Sequence, residues 1–412
     1  PLDTMEAVFS AMLAGNAVFF LDGYNKAIKI SSKGYPNLSV SESTREKVLR
    51  GSKEGFTDAV KTNSALVRKR IRDTRMKVKQ KTLGERSQTV VQLLYMEDLV
   101  RPGLVEEIER RLDSFVIDGV LDSGILEQMT ESSWLSPFPQ FQTTERPDKC
   151  AAEILNGRIL LLCDHSPVGL LLPAVFNDFL QVSEDYYNRF AIVSLQRLIR
   201  YGAVLLTLLF SGTYLAVTNF HTQVLPTNLI LSFSEARQGV PFPGLLEVLL
   251  MELAFETIRE AGVRMPGPLG GTIGIVGGLI IGQAAVTANL VSPIVVVVVA
   301  VTALSSLAIP TDEFSAPFRL LKFGFVILGG TMGVFGMLLG LYLVLSHLAG
   351  LKSFGIPYLS PFAAQNKKGY IGEKDSMIRF PLPFLTRRPL YARNGQEVRL
   401  KKGEKEEKHV YR

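Results

Sequence analysis

Three stretches of the chain contain no Asp, Glu, Lys or Arg: Tyr201 to Ser234, Met265 to Thr311 and Phe323 to Leu351. A bilayer core takes a helix of about 20 apolar residues, and a buried core helix can imitate one such window. Three in one chain read as an integral membrane protein. The first window holds one span near 201–220, entered from Arg197 and Arg200. The second is broken at Ser292-Pro293 and holds two, near 269–290 and 294–309, and the third holds one near 323–348.

Between the first two windows lies 244–262, preceded by Pro241-Phe-Pro243, which is apolar yet carries Glu247, Glu252, Glu256, Arg259 and Glu260. Glu252, Glu256 and Glu260 repeat every four residues, so on a helix they form one acidic stripe. Carboxylates are costly in lipid, so the stripe should face protein, water or the interface. Two readings stay open. One is a cation path lined by carboxylates. The other is an interfacial or partly buried amphipathic helix whose acids pair with Arg259 or Arg264.

The net charge of +6 is an average over unlike parts. Residues 1–200 hold 26 Lys/Arg and 26 Asp/Glu, residues 201–350 hold 5 and 7, and residues 351–412 hold 14 and 6. All the excess therefore sits in the last segment, which excludes a uniformly basic nucleic-acid binder. Positive charge flanking a span prefers the cytoplasm. Four crossings, with the acidic helix not crossing, put the neutral N-terminal region and the +8 tail on that side together. Arg319 and Lys322 in the last loop pull weakly the other way, and the tail reads as a topology anchor.

Gly270, Gly274, Gly278 and Gly282 fall at four-residue steps, and Gly329/Gly333 and Gly336/Gly340 repeat the spacing. Small residues so placed let another helix backbone approach closely. These positions are expected to carry tight helix contacts within the chain or between copies. Thr272, Gln283, Thr287 and Asn289 are uncharged polar residues in a span. Interhelical hydrogen bonding and pore lining both account for them.

Before Arg197 the pattern is mixed α/β. Ala17 to Leu21 and Lys26 to Ile30, joined by Asp22-Gly23-Tyr24-Asn25, read as a hairpin. Helical spacing runs through Phe56, Val60, Asn63, Val67 and Ile71, and again through Leu104, Ile108, Leu112 and Phe115. Thr89 to Met96 and Ile159 to Cys163 read as strands. Gly15 to Asp22 aligns without a gap on Gly157 to Asp164, which points to two related α/β subdomains. Arg68 to Lys81 holds eight basic residues and one acid, but Arg75, Lys77, Lys79 and Lys81 alternate as on the solvated face of an edge strand. The segment lacks the aromatics that stack on bases.

No catalytic constellation is present: no phosphate loop, no paired His and no nucleophile elbow. His165 and His221 stand alone, and Cys150 and Cys163 form neither a disulfide framework nor a zinc motif. No enzyme activity, cofactor or metal is expected.

The motifs Phe138-Pro-Gln140, Thr144-Glu-Arg-Pro147 and Glu184-Asp-Tyr-Tyr187 resemble the signature of the GerA-type spore germinant receptor A subunits. So do Pro241-Phe-Pro243, Arg259-Glu-Ala-Gly262 and Phe354-Gly-Ile-Pro-Tyr-Leu-Ser-Pro361. Gly55 to Asn63 and Arg68 to Ile71 match the family's N-terminal helix, and the resemblance runs in order over roughly residues 10–385. The Lys/Glu-rich tail lies outside it.

The resemblance implies an α+β cytoplasmic N-terminal region of two α/β subdomains followed by an α-helical polytopic membrane domain. On this chain the division is 1–130 for the first subdomain, with its start missing, and 131–196 for the second. The membrane domain is 197–350 and the basic cytoplasmic tail 351–412. It also implies a multi-pass protein of the spore inner membrane, working with a transporter-like B subunit and a lipoprotein C subunit. A homo-oligomer in lipid, conducting cations once nutrient is sensed, is the expected function. Glu252 and Glu256 are then the candidate ion-path carboxylates, Glu247 and Glu260 secondary ones, and Arg259 their counter-charge. The alternatives are a secondary transporter and a membrane-anchored scaffold without its own pore.

Overall fold

The computed structural model describes residues 2–13, 16–30, 43, 46, 50–264, 269–363 and 375–400. The chain divides into two compact units, Pro1–Ser194 with Gly350–Arg412 and Leu195–Ala349.

The first unit begins with helix α1 (Met5–Leu13) and a hairpin of β1 (Ala17–Phe19) and β2 (Ile28–Ile30) that pair antiparallel. The reversal uses Gly23 at φ 84°, a left-handed conformation that costs glycine nothing. After α2 (Val60–Arg70) come β3 (Met76–Leu83), β4 (Thr89–Met96), α3 (Leu104–Leu112) and α4 (Ser123–Thr130). Then follow β5 (Gln142–Thr144), α5 (Pro147–Leu155), β6 (Ile159–Cys163) and β7 (Gly169–Leu172). The five strands form one antiparallel sheet in the order β3-β4-β6-β7-β5.

Helices cover both faces of this sheet, which is why its central strands are continuous apolar runs. Leu94, Leu160, Leu162 and Leu171 point to α2 and α5, against Val67, Cys150 and Ile154. Their neighbours Leu93, Leu161, Leu170 and Leu172 point the other way, to Ile108 and Leu112 of α3 and Leu126 of α4. β3 is an edge strand, as its alternating lysines predict. Lys77 pairs with Glu97 at 3.3 Å, Lys79 with Glu109 at 3.0 Å, and Lys81 with Asp113. The basic run is thus largely neutralised by this unit's own acids.

Two expectations need correction. The sheet takes β3 and β4 from before residue 130 and β5, β6 and β7 from after it, so the division at 130/131 does not separate two sheets. Nor do the described residues of the expected basic tail, 351–363 and 375–400, stand apart from this unit. Its hairpin of β8 (Lys352–Ser353) and β9 (Ile356–Pro357) sets Phe354 edge-on against Phe141, with ring centroids 5.3 Å apart. Further on, Tyr391 packs with Val175 and Ile356. Arg393 N–H donates to the carbonyl of Leu99 at 2.8 Å, and Arg101 donates to the carbonyl of Leu390.

The second unit is helical: α6 (Phe190–Phe220, which starts just before it), α7 (Thr227–Ala236), α8 (Gly244–Arg264), α9 (Leu269–Thr287), α10 (Pro293–Leu307) and α11 (Asp312–Gly350). Among the described residues two helices, α6 and α11, are long and apolar enough to cross a membrane, and α10 is a shorter apolar helix. The expected span 294–309 is met by a 15-residue helix, about 22 Å long against a core of about 30 Å.

The expected span 323–348 is not one straight rod. Gly333 has φ 61° and ψ −145°, outside helical values. A Cβ on Gly340 would lie 2.9 Å from Leu328 and 3.1 Å from Phe325, and one on Gly336 would lie 2.5 Å from the carbonyl oxygen of Leu328. Twelve residues of straight helix would hold Leu328 and Gly340 about 18 Å apart. α11 therefore doubles back at Gly333 into two packed arms, 312–332 and 334–350.

Candidate functional site

α8 exposes one side and buries Gly244, Glu247, Val248, Met251 and Glu252. The buried stripe follows i, i+3, i+4, i+7, i+8, as a core-facing helix should, but two of its members are carboxylates. Removing such a group from water is costly unless it is paired and hydrogen-bonded, and both are.

Glu252 is fully buried. Its Oε1 accepts from Ser211 Oγ on α6 at 2.6 Å, and its Oε2 lies 2.7 Å from Lys322 Nζ on the first arm of α11. Ser211 also shares a hydrogen bond of 2.9 Å with Thr302 on α10. One turn on, Glu256 accepts from Arg319 Nη1 at 2.5 Å and lies 3.4 Å from Lys322 Nζ. One polar node thus joins α6, α8, α10 and α11. At the start of α8, Glu247 is held by Arg237 Nη2 at 3.2 Å and by the Ser292 N–H at 3.0 Å. At its end, the exposed Glu260 pairs with Arg264 at 2.6 Å.

The acidic stripe expected from the four-residue spacing is therefore graded: Glu252 is buried, Glu256 half-buried and Glu260 exposed. Each carboxylate has a cation, as the paired-helix alternative requires, and Arg264 serves Glu260 as that alternative names. Arg259 does not fill the expected role. Its Nη1 donates to Ser306 Oγ at 2.7 Å and its Nη2 to Asp312 Oδ1 at 2.9 Å. The counter-charges of Glu252 and Glu256 are Lys322 and Arg319, which sequence reading treated only as flanking charge. A signal was available: Arg319 and Lys322 are three apart, so they share one helix face.

The glycines divide between contacts. A Cβ on Gly329 would lie only 2.2 Å from the carbonyl oxygen of Gly212, and one on Gly212 would lie 2.5 Å from the carbonyl oxygen of Phe325, one turn before Gly329. Gly278 faces Phe255 at 3.2 Å and Gly282 faces Val296 at 3.1 Å. Gly270 and Gly274 lie in α9 where the surroundings are outside the described residues. On the outer face of α9, Ile280, Gln283, Ala284, Thr287 and Ala288 are all exposed. Thr287 Oγ turns back to the carbonyl of Gln283 at 2.8 Å. Among the described residues no group of three or more His, Cys, Asp or Glu is placed to hold a metal ion.

The sequence pattern of the Bacillus/Clostridium GerA spore germination protein family matches residues 1–391. The chain belongs to the GerA family. It is 40% identical over 388 residues to spore germination protein GerLA of Bacillus cereus, covering 94% of this chain and 78% of that one. To spore germination protein A1 of Bacillus subtilis (strain 168) it is 39% identical over 385 residues, covering 93% and 79%. To the membrane protein YfkQ of the same strain, described as uncharacterized, it is 39% identical over 408 residues, covering 98% and 79%. A crystal structure of the N-terminal domain of the A subunit of the Bacillus megaterium spore germinant receptor GerK3 shares 32% identity. It covers 42% of this chain and 60% of that one with a TM-score of 0.31, so the family assignment rests on the sequence relatives. The resemblance drawn from the motifs is borne out by these identities.

Proposed function

We propose that this GerA-family chain is the membrane-embedded A subunit of a spore germinant receptor, and that copies of its helical unit associate around a nutrient-gated cation path. The observation that carries the reading is the outer face of α9. Gln283 and Thr287 are exposed there beside Ala284 and Ala288, on a helix otherwise rich in Ile, Val and Gly. A polar amide facing lipid is unfavourable, and small residues beside it suit close contact between helices. That face is best spent on other copies and on water at their axis. Glu247 and Glu252 then serve to hold the bundle, and Glu256 and Glu260 are the acids placed to meet solvent at its end. The transporter-like B subunit and the lipoprotein C subunit implied by the family resemblance are the partners.

The same reading makes the protein multi-pass. Residues before 195 and after 349 fold into one unit, so any crossings between them are even in number. Six segments run alternately up and down: α6, α8, α9, α10 and the two arms of α11. Contacts between them support this order. Gly329 meets Gly212, Gly330 meets Leu245 and Gly333 meets Phe220, while Arg259 reaches Ser306 and Asp312 at the other end. The Lys/Arg excess of 351–412 favours the cytoplasmic side for the folded unit.

The test is cation flux through the purified chain in liposomes. Thr287→Trp should block flux, and Gln283→Glu should raise selectivity for cations over anions, with the oligomer intact by light scattering. Unaltered flux in Thr287→Trp with an intact oligomer refutes the path. A monomeric chain that conducts refutes the association.

A further inference from the structure

The loop that follows α4 carries Trp134 and Leu135, which are 79% and 75% exposed. Trp134 is the single tryptophan of the chain, and the stretch Ser132-Ser-Trp-Leu-Ser-Pro137 holds no charged residue. Single apolar residues scattered over a surface are ordinary. Here two large ones sit side by side at an uncharged tip, and the tip is fastened.

One fastening is Gln140, the last residue of the Phe138-Pro-Gln140 motif, which is buried. Its Oε1 accepts from the Ser132 N–H at 2.9 Å and its Nε2 donates to the Ser133 carbonyl at 3.1 Å. Its own carbonyl accepts from Ser353 Oγ of β8 at 2.8 Å. The other is Arg111 at the end of α3. Its Nη1 donates to the Thr130 carbonyl at 2.7 Å and to Ser132 Oγ at 2.8 Å, and its guanidinium lies 4.4 Å from the centre of the Phe354 ring. Two bridges therefore tie the loop bearing Trp134 to the β8–β9 hairpin.

That hairpin begins where α11 ends. Ser353 is three residues beyond Gly350, at most about 11 Å of chain. The second arm of α11, 334–350, is about 25 Å long, against a hydrocarbon core of about 30 Å. A crossing arm thus brings Gly350 to the interfacial layer. Lys352, the first charged residue after it, is exposed, and a cation there suits anionic headgroups.

We propose that Trp134 and Leu135 dip into the interfacial layer of the bilayer, so that the α/β unit rests on lipid close to Gly350. The proposal rests on the reading of α11 as a membrane helix. Lipid is the occupant because of that proximity and because of the chemistry of the tip. Tryptophan, an apolar ring with one N–H donor, collects at membrane–water interfaces, and the flanking serines offer neutral hydroxyls to the headgroups.

The single tryptophan is its own probe. The full chain is reconstituted in liposomes of phosphatidylcholine and phosphatidylglycerol, and Trp134 fluorescence is read with and without lipids brominated on the acyl chain. Insertion should give blue-shifted emission, weak quenching by acrylamide in the water, and loss of most of the intensity with brominated lipid. Bromine near the headgroup should quench more than bromine near the chain end. Leu135→Asp changes an exposed side chain, so the Tm of the detergent-solubilised chain should stay while the quenching by brominated lipid falls. Emission open to acrylamide and indifferent to brominated lipid overturns the proposal. So does emission shielded from both, since protein then covers Trp134, and so does unchanged bromine quenching in Leu135→Asp. Extraction with alkaline carbonate separates the two readings. A chain that stays in the vesicles while Trp134 shows no bromine quenching fails this proposal alone, and a chain that washes off fails the membrane reading with it.

Discussion

Lys322 is the residue whose loss should be felt most in the helical unit. Its ammonium is buried between Glu252 at 2.7 Å and Glu256 at 3.4 Å. Lys322→Met keeps the stem and removes the charge. Glu256 retains Arg319 at 2.5 Å, but Glu252 is left fully buried with only the Ser211 hydroxyl. Removing one partner of a buried pair costs about 3–5 kcal/mol, because the remaining charge is uncompensated. The matching change Glu252→Gln in the same chain removes that charge and leaves an amide within reach of Ser211. The double variant should therefore be more stable than the sum of the single losses predicts, with a coupling of about 2–3 kcal/mol, at the upper end for residues in contact. Unfolding of the detergent-solubilised chain by heat or by sodium dodecyl sulfate, followed by loss of helical circular dichroism, measures all four corners. Additive single effects would refute the pair as the node that fixes α8 against α11.

Two further outcomes follow from geometry and charge. Gly329→Ala forces a methyl to within 2.2 Å of the Gly212 carbonyl oxygen, whereas Gly324→Ala meets nothing within 4 Å. The first should lower the monodisperse yield in size-exclusion chromatography and the second should not, by the cost of overpacking, about 1–3 kcal/mol or more. In the α/β unit, hydrogen bonds from Arg110 and Arg111 hold the Glu107 carboxyl down to about 2, from about 4.5. A native value depressed in this way adds stability that is present above about pH 4.5 and lost as the pH falls toward 2. Both partners are partly solvated, so the effect is small and screened by salt. Glu107→Gln should flatten that part of the curve of Tm against pH, and more so at low ionic strength.

The α/β unit was legible wherever one local rule decided the outcome. Thr89 to Met96 and Ile159 to Cys163 are runs that only a doubly covered strand can bury, and both are central strands. The alternation of Lys77, Lys79 and Lys81 identified an edge. The segment after 350 was misread because its +8 charge hides Phe354, Ile356, Tyr358 and Tyr391, which are buried. The partners of Glu252 and Glu256 were missed for a different reason. Lys322 lies 66 residues from Glu256 in sequence, and no periodicity connects them.

The last apolar window shows what hydropathy cannot register. Phe323 to Leu351 is unbroken in composition, and a sum of transfer energies over it is the same whether the helix runs on or turns back. The turn rests on Gly333 at φ 61° and ψ −145°, a backbone conformation essentially confined to glycine that costs other residues about 1–3 kcal/mol. Reading that window as one crossing, and α8 as none, gives four crossings. Under the six-segment reading the window supplies two and α8 supplies one. Each of these two differences adds one crossing, so under either reading the parity is the same and the segment after 350 lies on the side of residues before 195. That parity is what their common fold demands, since Phe354 could not reach Phe141 from the opposite face of a membrane.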